Sequence, residues 1–236
     1  MAASAKVREL SVVMPVWNEE AVVLHSVTNA VESLPQLSDS WELIVVDDGS
    51  LDSTGKLLAA LDHPSVKILT LERHVGYWPA IRRGIDSARY SIVGYVDGDS
   101  QFDLMDMGGL LEQIGNFDIV SGYRNPRKDD PHRLALSFLY NRSLKVGAAL
   151  GVRDVNCAMK VFHRGVWDAL KVEGAYFTGV AEFMLVAQHA GMRIGEVGVR
   201  HYPRENGKSK VRPVDLAFGA WDLLRLLIKL RLKDRL

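Results

Sequence analysis

The sequence predicts an α/β fold with a mostly parallel central sheet flanked by helices and, at its end, a C-terminal amphipathic helix. Short apolar runs alternate with segments of helical spacing through the first half of the chain. The runs are almost continuously apolar, which is typical of strands buried on both faces. The 236 residues, 47% of them hydrophobic, suit one large domain.

The predicted elements follow one another in a regular order along the chain. Strands are predicted at residues 10–16, 41–46, 66–71, 91–96 and 117–120. The helices between them are predicted at residues 19–34, 53–61, 77–88 and 104–114, and Pro35 is expected to end the first. Later helices are predicted at residues 131–150 and 179–190. We therefore divide the chain into a tail (1–9), a main domain (10–212) and a C-terminal amphipathic helix (213–236).

Composition excludes several classes of protein. The 29 basic residues balance the 29 acidic ones, so no overall field favours nucleic acid as a partner. Cys157 is the single cysteine, which excludes an intrachain disulfide and gives no sign of a zinc cluster. The N-terminus lacks the apolar core of a secretory signal, and no uninterrupted apolar run is long enough to span a bilayer. We expect a soluble protein of a reducing compartment.

Acidic residues follow three of the predicted strands. They occur in the segments Asn18-Glu19, Asp47-Asp48 and Asp97-Gly98-Asp99. In open parallel sheets, ligands bind at the carboxyl ends of the strands, so these side chains are expected at one binding edge. Two like charges separated by one glycine repel each other, and a divalent cation would offset that repulsion. The alternative is an ordinary Asp/Gly turn, and the short D-x-D pattern alone does not decide between them.

The phosphate-binding loops of other α/β proteins are missing from the sequence. No G-x-G-x-x-G follows the first strand, and G-x-x-x-x-G-K-[ST] occurs nowhere. An acidic edge without these loops most simply binds a nucleotide through a metal ion.

An ordered set of motifs resembles the family-two glycosyltransferases, which have an A-type, Rossmann-like nucleotide-sugar-binding fold. The matching segments are 11–20, 42–54, 74–88 and 95–103. Segments 121–124, 133–141, 153–162 and 204–210 resemble one branch, the dolichyl- and polyprenyl-phosphate sugar synthases, which includes dolichol-phosphate mannose synthase. The resemblance spans about residues 10–212 and implies that this domain is catalytic.

By resemblance, the first strand ends form the donor site. Residues expected to hold the nucleotide sugar are Pro15, Trp17, Glu19, Asp48, Asp97 and Gln101, and those expected to bind Mg²⁺ or Mn²⁺ are Asp97, Asp99 and Gln101. Trp17 can alternatively be a core aromatic. His74 stands where many relatives carry Asn, and it can contact the nucleotide or be structural. Asp103 is expected to cap the following helix rather than to bind a ligand.

Basic residues in the second half are expected to bind the acceptor. By resemblance, the acceptor phosphate contacts Arg124, Arg133, Ser137, Arg204 and Lys210, and the catalytic residues are Asp99, Arg124, Arg133 and Glu182. A guanidinium binds phosphate oxygens bidentately, which suits this role. If residues 131–150 are helical, Arg133 and Ser137 lie one turn apart on one face. The alternatives are solvated surface charges for the arginines and a buried ion pair for Glu182.

The resemblance implies metal-dependent, inverting transfer of a hexose, with mannose favoured, from a nucleotide sugar to polyprenyl or dolichyl phosphate. GDP-mannose is the favoured donor and UDP-glucose is possible. One alternative is a related transferase with a soluble or protein-bound acceptor. Another is a non-catalytic, nucleotide-binding partner subunit.

The segment 214–236 is rich in Leu and carries a polar stripe at helical spacing, formed by Asp222, Arg225, Lys229 and Lys233. Such a helix can lie in a bilayer interface with its basic residues at anionic headgroups, or it can pack on the domain or on a partner. We expect a cytoplasmic protein that is peripheral on the cytoplasmic face of a membrane.

Overall fold

The computed structural model describes residues 6–126, 131–170, 172, 178–203, 225 and 228, with the backbone alone for residues 131–136. Its described strands form one seven-stranded sheet in the order β3-β2-β1-β4-β6-β5-β7. They are β1 (Val7–Val16), β2 (Ser38–Asp47), β3 (Val66–Thr70), β4 (Ile92–Tyr95), β5 (Ile119–Arg124), β6 (Lys160–His163) and β7 (Ile194–Val199).

Helices connect the strands and cover the sheet. They are α1 (Val23–Leu37), α2 (Thr54–Ala59), α3 (Tyr77–Asp86), a 3₁₀ turn (Leu104–Asp106), α4 (Met107–Gln113), α5 (Pro131–Ala148), α6 (Arg164–Ala169) and α7 (Thr178–His189). Among the described helices, none combines the length and the apolar character that crossing a bilayer requires.

Helix α1 continues through Pro35 to Leu37, so the prediction that Pro35 ends it was wrong. Proline removes only one backbone donor from the last turn. That turn is held by the buried side chains of Leu34 and Leu37 and by the Ser38 backbone N–H, which donates to the Leu34 carbonyl.

The sheet is mostly parallel, as the sequence predicts. Strand β1 pairs in parallel with both β2 and β4, and β5 pairs in parallel with β7. Strand β6 runs antiparallel to β4 on one side and to β5 on the other. The loop before β6 therefore lies at the edge where the other strands end. Strands β6 and β7 and helix α6 were not predicted from the sequence. β6 has only four residues and opens with a lysine, so it lacks the apolar run used to recognise strands.

Both faces of the sheet are buried. Along β1, Val13 belongs to the core under α3 and α7, whereas Val12 and Met14 belong to the core under α1 and α4. This alternation on a strand that is buried from Leu10 onward confirms the prediction of a sheet covered on both sides.

Gly84 sets the distance between α3 and the sheet. A Cβ at Gly84 would collide with the Val13 side chain and would lie 3.1 Å from Val46 Cγ2. Valine side chains on buried strands have little rotamer freedom with which to yield. The helix can lie this close to β1 and β2 only because the position carries no side chain.

We expect Gly84→Ala to lower the free energy of unfolding by about 1–3 kcal/mol, as overpacking does in cores. Gly165→Ala is the matched control, because Gly165 also lies in a helix but a Cβ there would meet nothing within 4 Å. The control should stabilise the protein by about 0.5–1 kcal/mol through helix propensity. Urea denaturation measures the free energy of unfolding of both variants. The same change in both would contradict close packing at Gly84.

Candidate active site

The carboxyl ends of three strands meet at one edge of the sheet. Val16 at the end of β1 is paired with Asp47 at the end of β2, and Val13 is paired with Tyr95 at the end of β4. The acidic segments that follow these strands are therefore neighbours, as the sequence analysis expected.

Hydrogen bonds join the loop after β1 to the loop after β2. The Asn18 backbone N–H donates to Ser50 Oγ at 2.9 Å, and Asn18 Oδ1 accepts from the Leu51 N–H at 2.7 Å. The Glu19 N–H donates to Thr54 Oγ1 at 2.9 Å. Asn18 adopts a positive φ of 51°, a conformation that asparagine tolerates better than most residues. The two loops thus form one braced unit.

Trp17, Asp48 and His74 form a cluster at this edge. His74 Nδ1 lies 2.8 Å from Asp48 Oδ2, and the His74 ring stacks on Trp17 with centroids 3.9 Å apart. Asp48 also accepts from the backbone N–H groups of Val75 at 2.7 Å and Gly76 at 2.9 Å. Two of the predicted nucleoside-binding residues are thereby linked through His74. Trp17 is partly buried and faces this cluster.

Burial raises the pKa of Asp48, and the Val75 and Gly76 N–H groups and His74 oppose that rise. Gly49 next to it has φ of +64°, and a Cβ there would lie 2.6 Å from the His74 backbone nitrogen. Glycine is required at this position because the backbone before His74 passes so close.

The residue between Asp97 and Asp99 has to be glycine, because β1 lies directly beneath it. A Cβ at Gly98 would collide with Val16 and would lie 3.1 Å from Met14 Cγ. The Gly98 carbonyl accepts from Ser26 Oγ of α1 at 2.9 Å. The glycine therefore seats the segment on the first strand, with one carboxylate on either side of it.

Each of the two carboxylates has a hydrogen-bond donor. Asp97 is hydrogen-bonded to the Tyr77 hydroxyl, and burial followed by the Asp97 charge raises the pKa of Tyr77 well above its ordinary value. Asp99 Oδ1 accepts from the Gln101 backbone N–H at 3.2 Å. Carboxylates that bind metal ions are usually oriented by such donors. The pair fits a divalent cation as two of its oxygen ligands.

Gln101 joins this loop to the segment after β7. Its Nε2 donates to the Tyr202 carbonyl at 3.0 Å, and the Tyr202 N–H donates to the Gln101 carbonyl at 2.9 Å. Asp103 Oδ1 accepts from the Met105 N–H at 2.9 Å, which confirms its predicted role as a helix cap. Asp103 also pairs with Arg200 at 2.6 Å. Within the described ranges, no cluster of three or more His, Cys, Asp or Glu side chains is arranged to hold a metal ion.

Arg124, the last residue of β5, lies at the same edge of the sheet as Asp97. Its guanidinium binds Asp154 with two hydrogen bonds, Nε to Oδ2 at 2.7 Å and Nη2 to Oδ1 at 2.8 Å. The side chains are only 10% and 8% exposed. Arg124 is thus not a solvated surface charge, and Asp154 fixes the plane of its guanidinium. Asp154 lies in segment 153–162, but no role was predicted for it from the sequence.

Helix α5 is tied to the loop that carries Asp154. Asn141 Oδ1 accepts from the Val155 N–H at 3.1 Å, and Asn141 Nδ2 donates to the Ser137 carbonyl at 2.9 Å and lies 3.3 Å from Ser137 Oγ. Ser137 therefore lies on the face of α5 that points toward this loop. Asn141 joins α5 to the loop, and the sequence did not predict this contact.

The remaining predicted acceptor residues stay predictions. Glu182 lies on α7 and is 5% exposed. Arg133 is one of residues 131–136 of α5, of which only the backbone is described, and Arg204 and Lys210 lie outside the described residues.

Lys160 was also missed. It is fully buried at the start of β6, and its Nζ donates to the carbonyls of Val155 at 2.9 Å and Cys157 at 2.5 Å. Burial lowers the pKa of Lys160 to about 8. A buried lysine cannot be recognised from a pattern of hydrophobic residues. In the structure, its two hydrogen bonds hold the loop whose Asp154 orients Arg124.

Comparison with known proteins decides the family. The family model "Glycosyl transferase family 2" matches residues 11–170. The chain belongs to this family. It is therefore a glycosyltransferase, and the resemblance seen in its sequence is confirmed. The dodecaprenyl-phosphate galacturonate synthase of Rhizobium johnstonii is 30% identical over 235 residues, covering 96% of this chain and 69% of that protein.

A second relative points to the same branch. The undecaprenyl-phosphate 4-deoxy-4-formamido-L-arabinose transferase of Pseudomonas fluorescens is 30% identical over 219 residues, covering 91% of this chain and 63% of that protein. This glycosyltransferase thus fits the polyprenyl-phosphate sugar synthase branch of the family.

Solved structures share the A-type fold. Glucosyl-3-phosphoglycerate synthase from Mycobacterium tuberculosis, in complex with Mn²⁺, UDP and glucosyl-3-phosphoglycerate, superposes with a TM-score of 0.72 and 20% identity, covering 94% of this chain and 79% of that one. The same enzyme with Mg²⁺ and UDP superposes with a TM-score of 0.71 and 18% identity, covering 93% and 79%.

We expect the free energy of unfolding to rise with pH between about 8 and 10.5, the depressed and ordinary pKa values of Lys160. In this window the unfolded chain keeps a proton that the folded protein has released, so raising the pH favours folding. Urea titrations at several pH values should show that Lys160→Met lacks this rise. Lys67→Met, which removes an exposed lysine of β3, should keep it. Parallel profiles for the wild type and Lys160→Met would contradict the assignment.

Proposed function

We propose that the protein transfers a sugar from a nucleotide sugar to a polyprenyl phosphate and releases a nucleoside diphosphate. The observation that carries this proposal is the position of the Asp97/Asp99 pair and of Arg124 at one edge of one sheet. The Asp97/Asp99 pair suits a donor diphosphate that is bound through a cation. Arg124 suits an acceptor that carries a phosphate. The names of the two relatives support a polyprenyl phosphate as the acceptor.

On the donor side, Asp97 and Asp99 would hold Mg²⁺ or Mn²⁺, with Gln101 beside them. Two carboxylates are few for a metal site, but Mg²⁺ is commonly held by one or two carboxylates together with substrate phosphates. When bound, the ion supplies Lewis-acid stabilisation to the departing diphosphate. The structural neighbours with Mn²⁺ or Mg²⁺ and UDP support the use of a divalent ion in this fold.

The nucleoside would be bound by the braced loops after β1 and β2. Trp17 offers an aromatic face, and Asp48 organises the backbone at Val75 and Gly76 that closes the cluster. Glu19 lies on the first of these loops. Pro15 was expected there too, but it is a buried residue of β1, paired with Val46, next to the last residue of the strand.

On the acceptor side, the phosphate is itself the nucleophile, since it is largely ionised at neutral pH. Its approach to the donor diphosphate is opposed by about 4 kcal/mol per charge pair at 4 Å in a partly screened site. Arg124, oriented by Asp154, would offset this repulsion, and Ser137 would donate to a phosphate oxygen. Arg133, Arg204 and Lys210 are expected to add positive charge. Direct attack by the phosphate inverts the configuration at the anomeric carbon.

The identity of the transferred sugar differs between the two lines of support. Motif resemblance favoured mannose from GDP-mannose, whereas the two relatives are named for galacturonate and for 4-deoxy-4-formamido-L-arabinose. Their lipids are named as dodecaprenyl and undecaprenyl phosphate, which favours these over dolichyl phosphate. We propose a place of action at the cytoplasmic membrane surface, where such lipids present their phosphates.

The purified protein, given a panel of nucleotide sugars, Mn²⁺ and undecaprenyl phosphate, should form a glycosylated lipid phosphate that mass spectrometry identifies. Chelation of the metal ion should abolish the product. Asp99→Asn should lower kcat at least about a hundredfold, the scale of losing one preorganised electrostatic group. Asp39→Asn, which removes an exposed carboxylate at the opposite end of β2, should leave kcat unchanged.

A product formed equally well with a neutral sugar acceptor would contradict the proposed acceptor class. Product formation that persists after chelation would contradict the metal.

We expect Arg124→Lys to raise the KM for the lipid phosphate about tenfold or more, because an ammonium cannot reproduce a bidentate contact. The affinity for the nucleoside diphosphate, measured by calorimetry with Mn²⁺, should stay the same. Arg193→Lys is the control, since Arg193 is 64% exposed and lies before β7, at the other end of the sheet. Equal losses of donor and acceptor affinity in Arg124→Lys would indicate general disruption instead.

A further inference from the structure

His74 is the exposed member of the cluster that it forms with Trp17 and Asp48. Its side chain is 44% exposed, whereas the side chain of Asp48 is 4% exposed. The loop that carries His74 follows β3, and β3 ends beside β2, since Thr70 is paired with Asp47. His74 therefore lies at the edge of the sheet where the loops after β1 and β2 form the proposed nucleoside site.

The Asp48 carboxylate is turned toward the protein. Its Oδ1 accepts from the Val75 N–H, and its Oδ2 accepts from the Gly76 N–H. Oδ2 also lies 2.8 Å from His74 Nδ1. Both oxygens are thus already engaged, and the group that lies between this carboxylate and the outside is the His74 ring.

The His74 ring is held in one orientation. It stacks on Trp17 with an interplanar angle of 17°, and Asp48 fixes its rotation through Nδ1. Its backbone passes so close to Gly49 that a Cβ there would lie 2.6 Å from the His74 nitrogen. A side chain that is ordered in this way loses little conformational entropy when a ligand binds to it.

The contact with Asp48 also determines which nitrogen of the ring carries the proton. A carboxylate only accepts hydrogen bonds, so His74 Nδ1 is the donor of this pair. In the neutral ring Nε2 is therefore an acceptor. The two nitrogens of an imidazole point in different directions, so this acceptor is directed away from the carboxylate.

We propose that His74 reads the base of the donor nucleotide, with Nε2 accepting a hydrogen bond from a ring N–H of that base. This role rests on the proposed function and refines its donor site. Uracil carries such an N–H at N3 and guanine carries one at N1. Cytosine N3 and adenine N1 are acceptors, so either would meet Nε2 as one acceptor facing another. Asp48 then acts as a positioning residue that keeps the ring proton on Nδ1.

The segment from His74 to Tyr77 connects this base contact to the proposed cation site. The Tyr77 hydroxyl is hydrogen-bonded to Asp97. Three residues of chain span at most about 11 Å, which is comparable to the reach of a nucleotide from its base to its diphosphate. One nucleoside diphosphate is thus long enough to extend from His74 to the Asp97/Asp99 pair.

A base that stacks on the face of Trp17 now covered by His74 is the competing arrangement. It requires the His74 ring to leave both Trp17 and Asp48. This movement separates two stacked rings and removes a hydrogen-bond partner from a buried carboxylate, and both changes are unfavourable. The arrangement with His74 in place keeps these contacts.

Calorimetry on the full chain with Mn²⁺ tests the base contact. The wild type should bind the tighter of UDP and GDP at least about tenfold more strongly than CDP or ADP. Methylation of the ring N–H, at N3 of UDP or N1 of GDP, should weaken binding to the wild type by about tenfold or more. His74→Ala should bind the methylated and unmethylated nucleotides equally, because the acceptor that reads this N–H is gone.

Inorganic pyrophosphate with Mn²⁺ carries no base, so it should bind His74→Ala and the wild type equally. His63→Ala is the matched control variant. His63 also stacks on a tryptophan, Trp41, but it lies before β3, at the opposite end of the sheet. This variant should keep every affinity. Asp48→Asn should reduce the effect of methylation, because an amide can donate to Nδ1 and leave the ring proton on Nε2.

Four results would overturn the proposal. The first is the same cost of methylation in His74→Ala as in the wild type. The second is a wild-type preference for CDP or ADP. The third is tighter nucleotide binding by His74→Ala, which would place the base on Trp17 instead. The fourth is an equal loss of pyrophosphate affinity in His74→Ala, which would indicate a purely structural role for the ring.

The lipid product separates this proposal from the proposed function. Equal rates of lipid glycosylation by His74→Ala and the wild type, at a donor concentration below KM, would overturn the base contact and leave the proposed function standing. A base preference that depends on His74, without any lipid product, would support the base contact and count against the proposed function.

Discussion

The parallel pairing of β1 with β2 and β4 is the constraint on which the site depends. The register Val16 with Asp47 and Val13 with Tyr95 makes three strands finish side by side. Because both faces of β1 are buried, a slip of one residue would turn its core side chains toward the wrong layer. The hydrophobic core therefore fixes the position along the strands at which the acidic loops begin. Gly98 and Gly84 keep the neighbouring segments close enough to the strands for this arrangement to hold.

The proposed acceptor side is organised by polar contacts rather than by a hydrophobic pattern. Lys160 holds the carbonyls of Val155 and Cys157, Asp154 in the same loop orients Arg124, and Asn141 connects the loop to α5. A lysine ammonium is costly to bury, and here its cost is offset by two backbone acceptors. The loop thus acquires a fixed shape without any regular secondary structure. The Arg124 guanidinium is thus held in one orientation by contacts within the protein.

The sequence predicted the strands of the first half of the chain well because their signals are local. Apolar runs ending in acidic residues located β1, β2 and β4, and Asp103 was recognised as a cap from its position before Leu104. The sequence could not supply contacts between distant segments. The stacking of His74 on Trp17 and the pairing of Arg124 with Asp154 bring together residues about 30 or more positions apart. Strand β6 escaped recognition because its buried lysine contradicts the periodicity on which strand prediction relies.

The antiparallel ladder between β4 and β6 joins the two halves of the enzyme, and it comprises only four residue pairs, from Ile92–His163 to Tyr95–Lys160. It fixes the position of Asp97 and Asp99, after β4, relative to Arg124 at the end of β5. A shift by two residues would keep the side chains on their correct faces but move one half by about 7 Å along the other. Reacting atoms must approach to about 3–3.5 Å, so such a shift would silence transfer without unfolding either half. The loops can therefore differ in sequence without moving the two halves relative to each other, whereas the register of this ladder cannot change.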